Sequence, residues 1–412
     1  MPAGGPPPAP MIDRVSLRLA VVEPTPLGGL LHYATQLADA LADRGNDVDL
    51  IVTRDQELAG LAGPARRREV LAAAPRGTAG GALVRRARTA GRLTASWTRI
   101  AREVRRGRYD AVLLNGSLDL ALTAAGALAV NAAKGSTPVA HVCHNVRPFD
   151  RWGGGGLYAG SRATLALLRR AYPSFDLLFV HGETSRRELL ETWRPARVEV
   201  IPHGDERIFA GEPPAPAAEP RILFFGAWRK MKGLPVLMEA FDELAERRPQ
   251  VRLTIAGPTV PEEGEDRHVL AWAAERRDRV EVRPGYVPVG DVAPLFAQAR
   301  VVALPYLAAY QSGVAHLAMT MERAVVATEV GDLPSAVRHG RTGLVVAPRD
   351  PAALAAALED VVTDATLAER LGREGRRVVM NGSGWPSVAA QVETALRELV
   401  ERPPSTSREE RP

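Results

Sequence analysis

Short apolar runs alternate with amphipathic, helix-like segments along most of the chain. The strand-like runs of the first half cover residues 17–22, 48–52, 109–114, 138–143, 176–180 and 198–201. A helix is predicted from about residue 30 to residue 44. Because apolar runs of this length separated by helical segments are typical of parallel strands with crossover helices, residues 15–208 are predicted to form one α/β domain.

A Pro-rich stretch, GEPPAPAAEP at 211–220, interrupts this pattern, and we predict an interdomain linker over 209–220. The alternation then restarts with strand-like runs at 221–225, 251–256, 280–282, 301–304, 325–328 and 343–346. The helices predicted between and after them cover 234–247, 267–277, 289–299, 313–321, 333–339 and 351–363. The pattern predicts a second domain over 221–380, and so an α/β fold of two doubly wound domains facing a cleft.

The length of 412 residues suits two domains of ordinary size. Residues 1–14 and 403–412 are rich in Pro or charge and are predicted to be disordered. Cys143 is the only cysteine, so no disulfide framework forms within one chain, and a reducing cytoplasm is expected. The first residues have neither a basic start nor an apolar run, so no signal peptide is expected.

A strongly basic segment covers residues 64–108, with 13 arginines and two glutamates as its only acids. Its Ala and Leu content predicts amphipathic helices. Such a helix can lie on an anionic membrane surface, or it can be a solvated face of the first domain, and both interpretations stay open. Nucleic-acid binding is disfavoured, because Trp97 is the only interleaved aromatic residue and no recognition motif accompanies it.

Three strand-to-helix loops carry residues suited to phosphate binding. Gly28 and Gly29 follow the first strand, where they permit close approach to the backbone and an anion at the helix start, although they do not form G-x-G-x-x-G. Arg229 and Lys232 lie in FGAWRKMKG (225–233). Fixed cations in such a loop favour a diphosphate-binding site over the alternative interpretation, a solvated basic turn. In the third loop, Ser312 is predicted to cap a helix that begins at residue 313.

Three of the eight histidines follow strand ends in the first domain: His144, His181 and His203. A single histidine is more often structural, but recurrence at three strand ends of one domain favours a functional role. His144 is a candidate to orient or deprotonate an acceptor hydroxyl, and Asn145, His181 and His203 are candidates on the acceptor side.

Other chemistries find little support in the sequence. There is no Walker loop, no H-E-x-x-H and no G-x-S-x-G. Asp47 and Asp49 form a D-x-D pair where the second strand begins, which is the wrong end of a parallel strand for a cleft, so we interpret them as structural. The glycine run 153–156 follows no strand directly and is interpreted as a loop rather than a nucleotide fingerprint.

Taken in order, these segments resemble glycosyltransferase family 4, which has the GT-B fold, over nearly all of residues 15–400. The matching segments are PLGGLLHYATQLADALADRGNDVDLIV, HVCHNVRPFD, VIPHGDE, FFGAWRKMKGLPVLMEAF, PGYVP, SGVAHLAM and AVVATEVGDLPSAVRHGRTGLVV. The resemblance implies a retaining transfer from a nucleotide-diphosphate sugar without a metal or other cofactor. The implied acceptor is a glycan, a lipid-linked molecule or a small molecule.

The resemblance also implies a role for each matching position. Lys232 and Arg229 would neutralise the leaving diphosphate, and His144 would face the reacting sugar. A C-terminal helix over 381–402 would cross back to the first domain. The implied donor-binding positions are Gly28, Gly29, Gly226, Tyr286, Val287, Ser312, Gly313 and Val314.

The sequence departs from the family pattern at several acidic positions. Ala309 and Leu317 stand where the family usually has glutamates, Ser335 replaces another acid, and Ala227 replaces an arginine. Two alternatives therefore stay open: a non-catalytic relative that binds nucleotides, and a sugar-nucleotide epimerase of the same architecture. An epimerase needs an acidic base in the cleft, and no clear candidate is present in the sequence.

Overall fold

The computed structural model describes residues 15–73, 82–118, 120–148, 161–209, 212–215, 217, 219–260 and 264–401. The predicted disordered tails and the glycine run at 153–156 lie outside these residues, as do parts of the predicted linker and of the 64–108 segment. None of the helices in the described ranges combines the length and the apolar character needed to cross a bilayer.

The first half forms a seven-stranded parallel sheet in the order β3-β2-β1-β4-β5-β6-β7. Its strands are β1 (Arg18–Val22), β2 (Asp47–Thr53), β3 (Arg66–Leu71), β4 (Ala111–Leu114), β5 (Val139–Val142), β6 (Leu177–Val180) and β7 (Val198–Val200). Its helices are α1 (Gly29–Asp43), α2 (Ala82–Arg106), α3 (Ala121–Ala133), α4 (Arg162–Ala171) and α5 (Glu183–Trp193). The interior strand β1 pairs with both β2 and β4, so Val21 lies opposite Leu50 and Leu113. The strand order reverses at β1, and this is where a doubly wound sheet opens a crevice.

The second half forms a six-stranded parallel sheet in the order β10-β9-β8-β11-β12-β13. Its strands are β8 (Arg221–Phe225), β9 (Arg252–Gly257), β10 (Val280–Pro284), β11 (Val301–Leu304), β12 (Ala324–Thr328) and β13 (Leu344–Val346). Its helices are α6 (Leu234–Arg247), α7 (Glu265–Ala274), α8 (Val289–Ala297), α9 (Gly313–Thr320), α10 (Leu333–Ala336), α11 (Pro351–Thr363), α12 (Ala365–Gly382) and α13 (Trp385–Glu401). Buried apolar clusters cover both faces of each sheet, and the predicted fold class is confirmed.

Two predicted elements differ from the structure. The helix predicted over 333–339 ends at Ala336, because the Thr342 hydroxyl accepts from the Arg338 amide and donates to the Ala336 carbonyl, which closes a turn there. The amphipathic helix predicted within 64–108 is present as α2, but Arg66–Leu71 forms the edge strand β3 instead.

The strand β3 forms because Asp49 on the neighbouring strand attracts its arginines. The Arg66 Nε atom lies 2.5 Å from an oxygen of the buried Asp49 carboxylate, and the Tyr109 hydroxyl donates to the other oxygen over 2.7 Å. Arg68 bridges Asp49 and Glu103. The structural interpretation of the D-x-D pair is therefore confirmed.

The two halves contact each other through the last helix. Trp385, at the start of α13, packs with the ring of Tyr33 on α1 at a centroid distance of 5.1 Å. Its indole nitrogen donates to the Asp205 carbonyl over 2.7 Å. The remainder of α13 adds apolar side chains to the core beneath the first sheet, so the chain returns to its first half after completing the second.

A second contact between the halves is a helix cap. The Asp332 carboxylate, just before α10, accepts from the backbone amides of Thr184 and Ser185 over 3.0 and 3.1 Å and from the Ser185 hydroxyl. These amides belong to the first turn of α5, whose dipole favours a negative charge there. A side chain on Gly182 would collide with this carboxylate, since a Cβ atom there would lie 2.1 Å from it.

We predict that Asp332→Ala lowers the free energy of unfolding by about 1–2 kcal/mol, the cost of a lost helix cap, and also loosens the contact between the halves. Urea unfolding measures the first effect, and the radius of gyration from small-angle scattering measures the second. Asp364→Ala is the matched control, because Asp364 caps α12 within the second half. Equal radii for the two variants would contradict an interdomain role for Asp332.

Candidate functional site

The carboxyl ends of the two sheets face a cleft that contains two adjoining cavities. The first, of about 370 Å³, is lined by Gly28, Gly29, Leu30, His32, His144, His203, Glu206, Phe209, Phe225, Gly226, Ala227, Gly257, Pro258, Tyr286, Val287, Val292, Gln311, Gly313, Val314 and Leu317. The second, of about 320 Å³, is lined by Leu30, Ser117, Asn145, Arg229, Met231, Lys232, Ala309, Tyr310, Gln311, Ser312, Gly313 and Val314. Every predicted site residue except His181 lines one of these cavities, although their individual roles stay predictions.

Glycine backbone forms the floor of the first cavity. Gly226 has a φ of 125°, which favours glycine, and a Cβ atom added there would meet only Val314. Gly257, at the end of β9, packs so closely that its Cβ would lie 2.1 Å from the Gly226 carbonyl oxygen. Sequence reasoning missed Gly257, although a glycine that ends an apolar strand is a signal of close backbone approach.

The second cavity has a cationic wall. Lys232 lies in a short 3-10 turn that ends at Gly233, and its Nζ atom stands 3.6 Å from the centroid of the Tyr306 ring. In the described part of the chain, no carboxylate lies within salt-bridge distance of this ammonium group. The aromatic face therefore positions the charge without neutralising it.

The start of α9 completes this wall. The Ser312 hydroxyl accepts from the Ala315 amide over 3.3 Å, which confirms the predicted cap, and lies 3.3 Å from the Tyr306 hydroxyl. The backbone amides of the first turn and the Lys232 ammonium group thus share one region of the cleft. A helix N-terminus beside a fixed cation is an arrangement that binds anionic oxygens.

The other side of the cleft has a row of histidine rings that ends at His316 of α9, and all of them except His181 are buried. Ring centroids are 5.1 Å apart for His144 and His181, 5.1 Å apart for His181 and His203, and 4.6 Å apart for His203 and His316. Tyr33 packs its ring against the first three. Sequence reasoning missed Tyr33 and His316, because each lies inside a helix and nothing in the local pattern distinguishes it from a core residue.

Burial keeps these rings uncharged. It lowers the pKa of His181 to about 4 and holds the pKa values of His144 and His203 well below the ordinary value of 6.5. Desolvation lowers the pKa of His316 as well. Removal of an imidazolium ion from water is costly when no carboxylate compensates it. The wall therefore presents neutral imidazoles to the cleft at physiological pH.

A hydrogen-bonded chain fixes the orientation of His144. Its Nε2 atom lies 2.8 Å from the Asn115 side-chain oxygen, and the Asn115 amide nitrogen donates to the buried Glu23 carboxyl over 2.6 Å. Because Asn115 presents its oxygen to His144, the proton lies on Nε2. Within the described residues, the His144 Nδ1 atom has no hydrogen-bond partner and is left as an acceptor.

A carboxylate joins the two walls at the rim of the cleft. One oxygen of Glu57 accepts from the Gly28 amide over 2.5 Å and lies 2.7 Å from the His32 Nε2 atom, while the other accepts from the Tyr286 hydroxyl over 2.5 Å. The Gly28 amide, at the helix start where the sequence predicted a bound anion, thus donates to a carboxylate of the chain itself. Glu57 belongs to a loop without a recognisable motif, so no sequence signal identified it.

The neutral histidines predict an acid-sensitive protein. His141 and His181 have folded-state pKa values of about 4 against 6.5 in the unfolded chain, so the unfolded state binds more protons between these values. The free energy of unfolding should therefore fall as the pH falls through this range, by on the order of 3 kcal/mol for each ring. Urea unfolding at a series of pH values measures the slope.

His181→Gln should reduce this slope, because the titrating group is removed while a hydrogen-bond donor to the Ile201 carbonyl is kept. His268→Gln, at an exposed position, should leave the slope unchanged. An identical slope in wild type and His181→Gln would show that His181 is not buried as a neutral ring.

Comparison with known proteins identifies relatives for both halves of the chain. A model described as Glycosyltransferase Family 4 matches residues 27–204, and one described as Glycosyl transferases group 1 matches residues 219–364. D-inositol 3-phosphate glycosyltransferase from Pseudarthrobacter chlorophenolicus is 34% identical over 183 residues, which cover 44% of this chain and 43% of that protein. The chain thus aligns with less than half the length of this relative.

Solved structures of similar fold span almost the whole chain. Sucrose-phosphate synthase from Thermosynechococcus elongatus has a TM-score of 0.72 at 22% identity and covers 93% of this chain and 99% of that chain. Anabaena HepE in complex with UDP-glucose has a TM-score of 0.69 at 16% identity and covers 93% of this chain and 100% of that chain. The two family models lie on either side of the linker and between them include most of both sheets, and the chain belongs to glycosyltransferase family 4, with the GT-B fold.

Proposed function

We propose that this protein is a retaining glycosyltransferase that moves a sugar from a nucleotide-diphosphate sugar to a hydroxyl acceptor, without a metal or other cofactor. The observation that carries the proposal is the unneutralised Lys232 ammonium group beside the start of α9, across the cleft from the Gly28–Gly29 loop. This geometry suits a departing diphosphate held between two domains.

The two cavities divide the donor between them in this proposal. Apolar side chains of Phe225, Val287, Val292 and Leu317, together with Tyr286, give the first cavity walls that suit a nucleoside. The polar second cavity suits the sugar, and the diphosphate would lie where the two cavities adjoin, at Gly313 and Val314. Each cavity has a size ordinary for small-molecule sites. The structure of HepE with UDP-glucose supports a nucleotide sugar as the class of donor.

The chemical problem is the charge that develops on the leaving diphosphate while the sugar carbon becomes oxocarbenium-like. Lys232, Arg229 and the first amides of α9 would stabilise this charge from fixed positions, so little reorganisation is required. Charge-assisted hydrogen bonds contribute roughly 1.5–3 kcal/mol each. The contacts made by Glu57 and Asp332 at the rims would keep the cleft closed and exclude water that hydrolyses the donor.

The acceptor in this proposal lies against the histidine wall. His144 is neutral and is held in place by Asn115. We therefore assign it the role of orienting the reacting sugar or the acceptor hydroxyl, rather than the role of taking up a proton. Asn145 and His203 line the cavities nearby, and His181 supports both rings from behind. A glycan, a lipid-linked molecule and a small molecule are the acceptor classes to test.

The first experiment is thermal stabilisation by a panel of nucleoside diphosphates and their sugars, without added metal. A ligand at 100 times its dissociation constant adds about 2.7 kcal/mol, so a selective response to one nucleotide sugar is expected and would identify the donor. No response to any member, together with no donor hydrolysis, would instead favour a non-catalytic relative. The apolar Ala309 and Leu317, which line the cavities, motivate that alternative.

We predict that Lys232→Ala lowers kcat/KM on the order of 100-fold, because a fixed cation at the leaving diphosphate is lost. Steady-state kinetics with the donor found above measure this. Lys230→Ala is the matched control, since Lys230 lies in the same turn and lines neither cavity. Equal kinetics for Lys232→Ala and the wild type would exclude the assigned role.

We also propose peripheral contact with an anionic membrane through the second half of α2. Several arginines of the basic segment are already bound within the first domain, as Arg66 is to Asp49. Exposed arginines remain near the end of α2 at Arg102, Arg105 and Arg106. Basic side chains near an anionic surface contribute about 1 kcal/mol each.

Arg102→Glu/Arg106→Glu should therefore weaken binding to phosphatidylglycerol vesicles at least tenfold in a sedimentation assay. Arg267→Glu/Arg277→Glu changes the same number of charges on exposed residues of the second domain and should leave vesicle binding unchanged. Similar losses in both variants, or tighter binding to duplex DNA than to vesicles, would contradict a membrane surface on α2.

A further inference from the structure

Glu206 is the one carboxylic acid that lines either cavity in the described part of the chain. It lies just after His203 and the turn at Gly204, and only 4% of the residue is exposed. Its Oε1 atom lies 3.6 Å from the point where a Cβ atom on Gly313 would be. An acidic side chain therefore stands at the start of α9, beside the amides that are proposed to bind phosphate.

The neighbouring amide of Gln36 determines which oxygen of Glu206 carries a proton. The Gln36 side-chain oxygen accepts from the Ile208 amide over 3.2 Å, so its nitrogen must point the other way. That nitrogen donates to the Glu206 Oε2 atom over 3.3 Å. Oε2 is thus the acceptor, and a proton on this group lies on Oε1, the oxygen that faces Gly313.

Among the described residues, none supplies Glu206 with a paired cation. Tyr33 faces it from α1, and burial raises the pKa of that phenol, so it stays neutral. His203 from its own segment and His316 from α9 are held neutral by burial, and Glu57 pairs with His32. Two other charged groups are near in sequence: Asp205 and Arg207, which bind each other over 2.6 and 2.7 Å. Desolvation accordingly raises the pKa of Glu206 to about 8.

We propose that Glu206 acts as a neutral acid that donates a hydrogen bond from Oε1 to the diphosphate of the donor at the start of α9. This inference rests on the proposed function, because it assumes that a nucleoside diphosphate binds in the cleft. It adds a positioning contact that the family resemblance did not assign, although Glu206 ends the matching segment VIPHGDE. A carboxylic acid that stays protonated in an apolar site can donate in this way.

The protonated form is required by electrostatics. An ionised carboxylate at this point would repel a bound diphosphate strongly, because the cavity wall has a low effective dielectric constant. A neutral acid removes this repulsion and adds a donor to those of the α9 amides. Affinity for the diphosphate should therefore fall as the pH rises through about 8, where Glu206 loses its proton. The ligand itself keeps a constant phosphate charge in this range, since its last phosphate pKa is about 6.

Calorimetric titration tests this with the nucleoside diphosphate selected by the thermal panel and with the parent nucleoside. In the wild type, we expect the affinity for the diphosphate to fall about tenfold from pH 7 to pH 9. The parent nucleoside is the control, because a change in its affinity over the same range would come from ionisation of the base. Glu206→Gln keeps a donor but cannot ionise, so its affinity at pH 7 should fall by no more than about threefold and its pH dependence should disappear. Glu206→Leu should lose about tenfold at every pH.

Infrared difference spectra of wild type and Glu206→Gln give a second measurement that needs no ligand. A band of a protonated carboxyl group should be present in the wild type at neutral pH and absent from the variant. Absence of this band overturns the inference. So does a diphosphate affinity that is constant or increases with pH, as expected if an ionised Glu206 instead accepts from a ribose hydroxyl.

These outcomes separate the inference from the proposed function. Sugar transfer with no pH effect attributable to Glu206 overturns only the role of this side chain. Failure of every nucleoside diphosphate to bind at any pH, together with no donor hydrolysis, overturns both.

Discussion

The fully buried ring of Tyr33 is the contact on which the arrangement of the cleft depends. It packs against His144, His181 and His203 on one side and against Trp385 of α13 on another, at centroid distances of 4.8 to 5.3 Å. One aromatic side chain thus connects the first helix, three strand ends and the returning C-terminal helix. Because these polar rings are packed away from water, the desolvation cost makes protonation of each imidazole unfavourable. The first domain therefore presents a neutral wall, and the cations of the cleft lie on the second domain, where the diphosphate is proposed to bind.

The elements that depend on local pattern could be predicted from the sequence. Apolar runs gave the strands, and the loops with Gly28, Lys232 and Gly313 were found because parallel strands place their carboxyl ends at one edge. Features set by distant partners could not be predicted. The strand β3 requires Asp49 on the next strand, and the environment of Glu206 requires Gln36, which is 170 residues away in the chain. In the sequence alone, where these distant partners are not visible, the arginines of β3 and Glu206 cannot be distinguished from solvated surface residues.

The fold shows what surrounds the positions at which the family's usual acidic residues are absent. Ala309 and Leu317 are both buried, and the Ala309 carbonyl packs so closely on Gly331 that a Cβ atom there would lie 1.8 Å away. The next residue, Asp332, donates its backbone amide to the Tyr310 carbonyl and turns its carboxylate away to cap α5 in the other domain. The acidic side chain of this loop therefore holds the two domains together and does not face the cleft.

Hydrogen bonds to carboxylates at two rims help to hold the cleft closed, and their strength affects how it can open. Tyr286 reaches Glu57 at one rim, and Asp332 reaches the start of α5 at the other. Each contact is a small set of hydrogen bonds to a carboxylate, worth roughly 1.5–3 kcal/mol per charged bond. The C-terminal helix α13, by contrast, is anchored by buried apolar side chains in the first core. Opening of the rims would therefore leave the domains attached through α13, while it would separate His316 of α9 from His203 of the first domain.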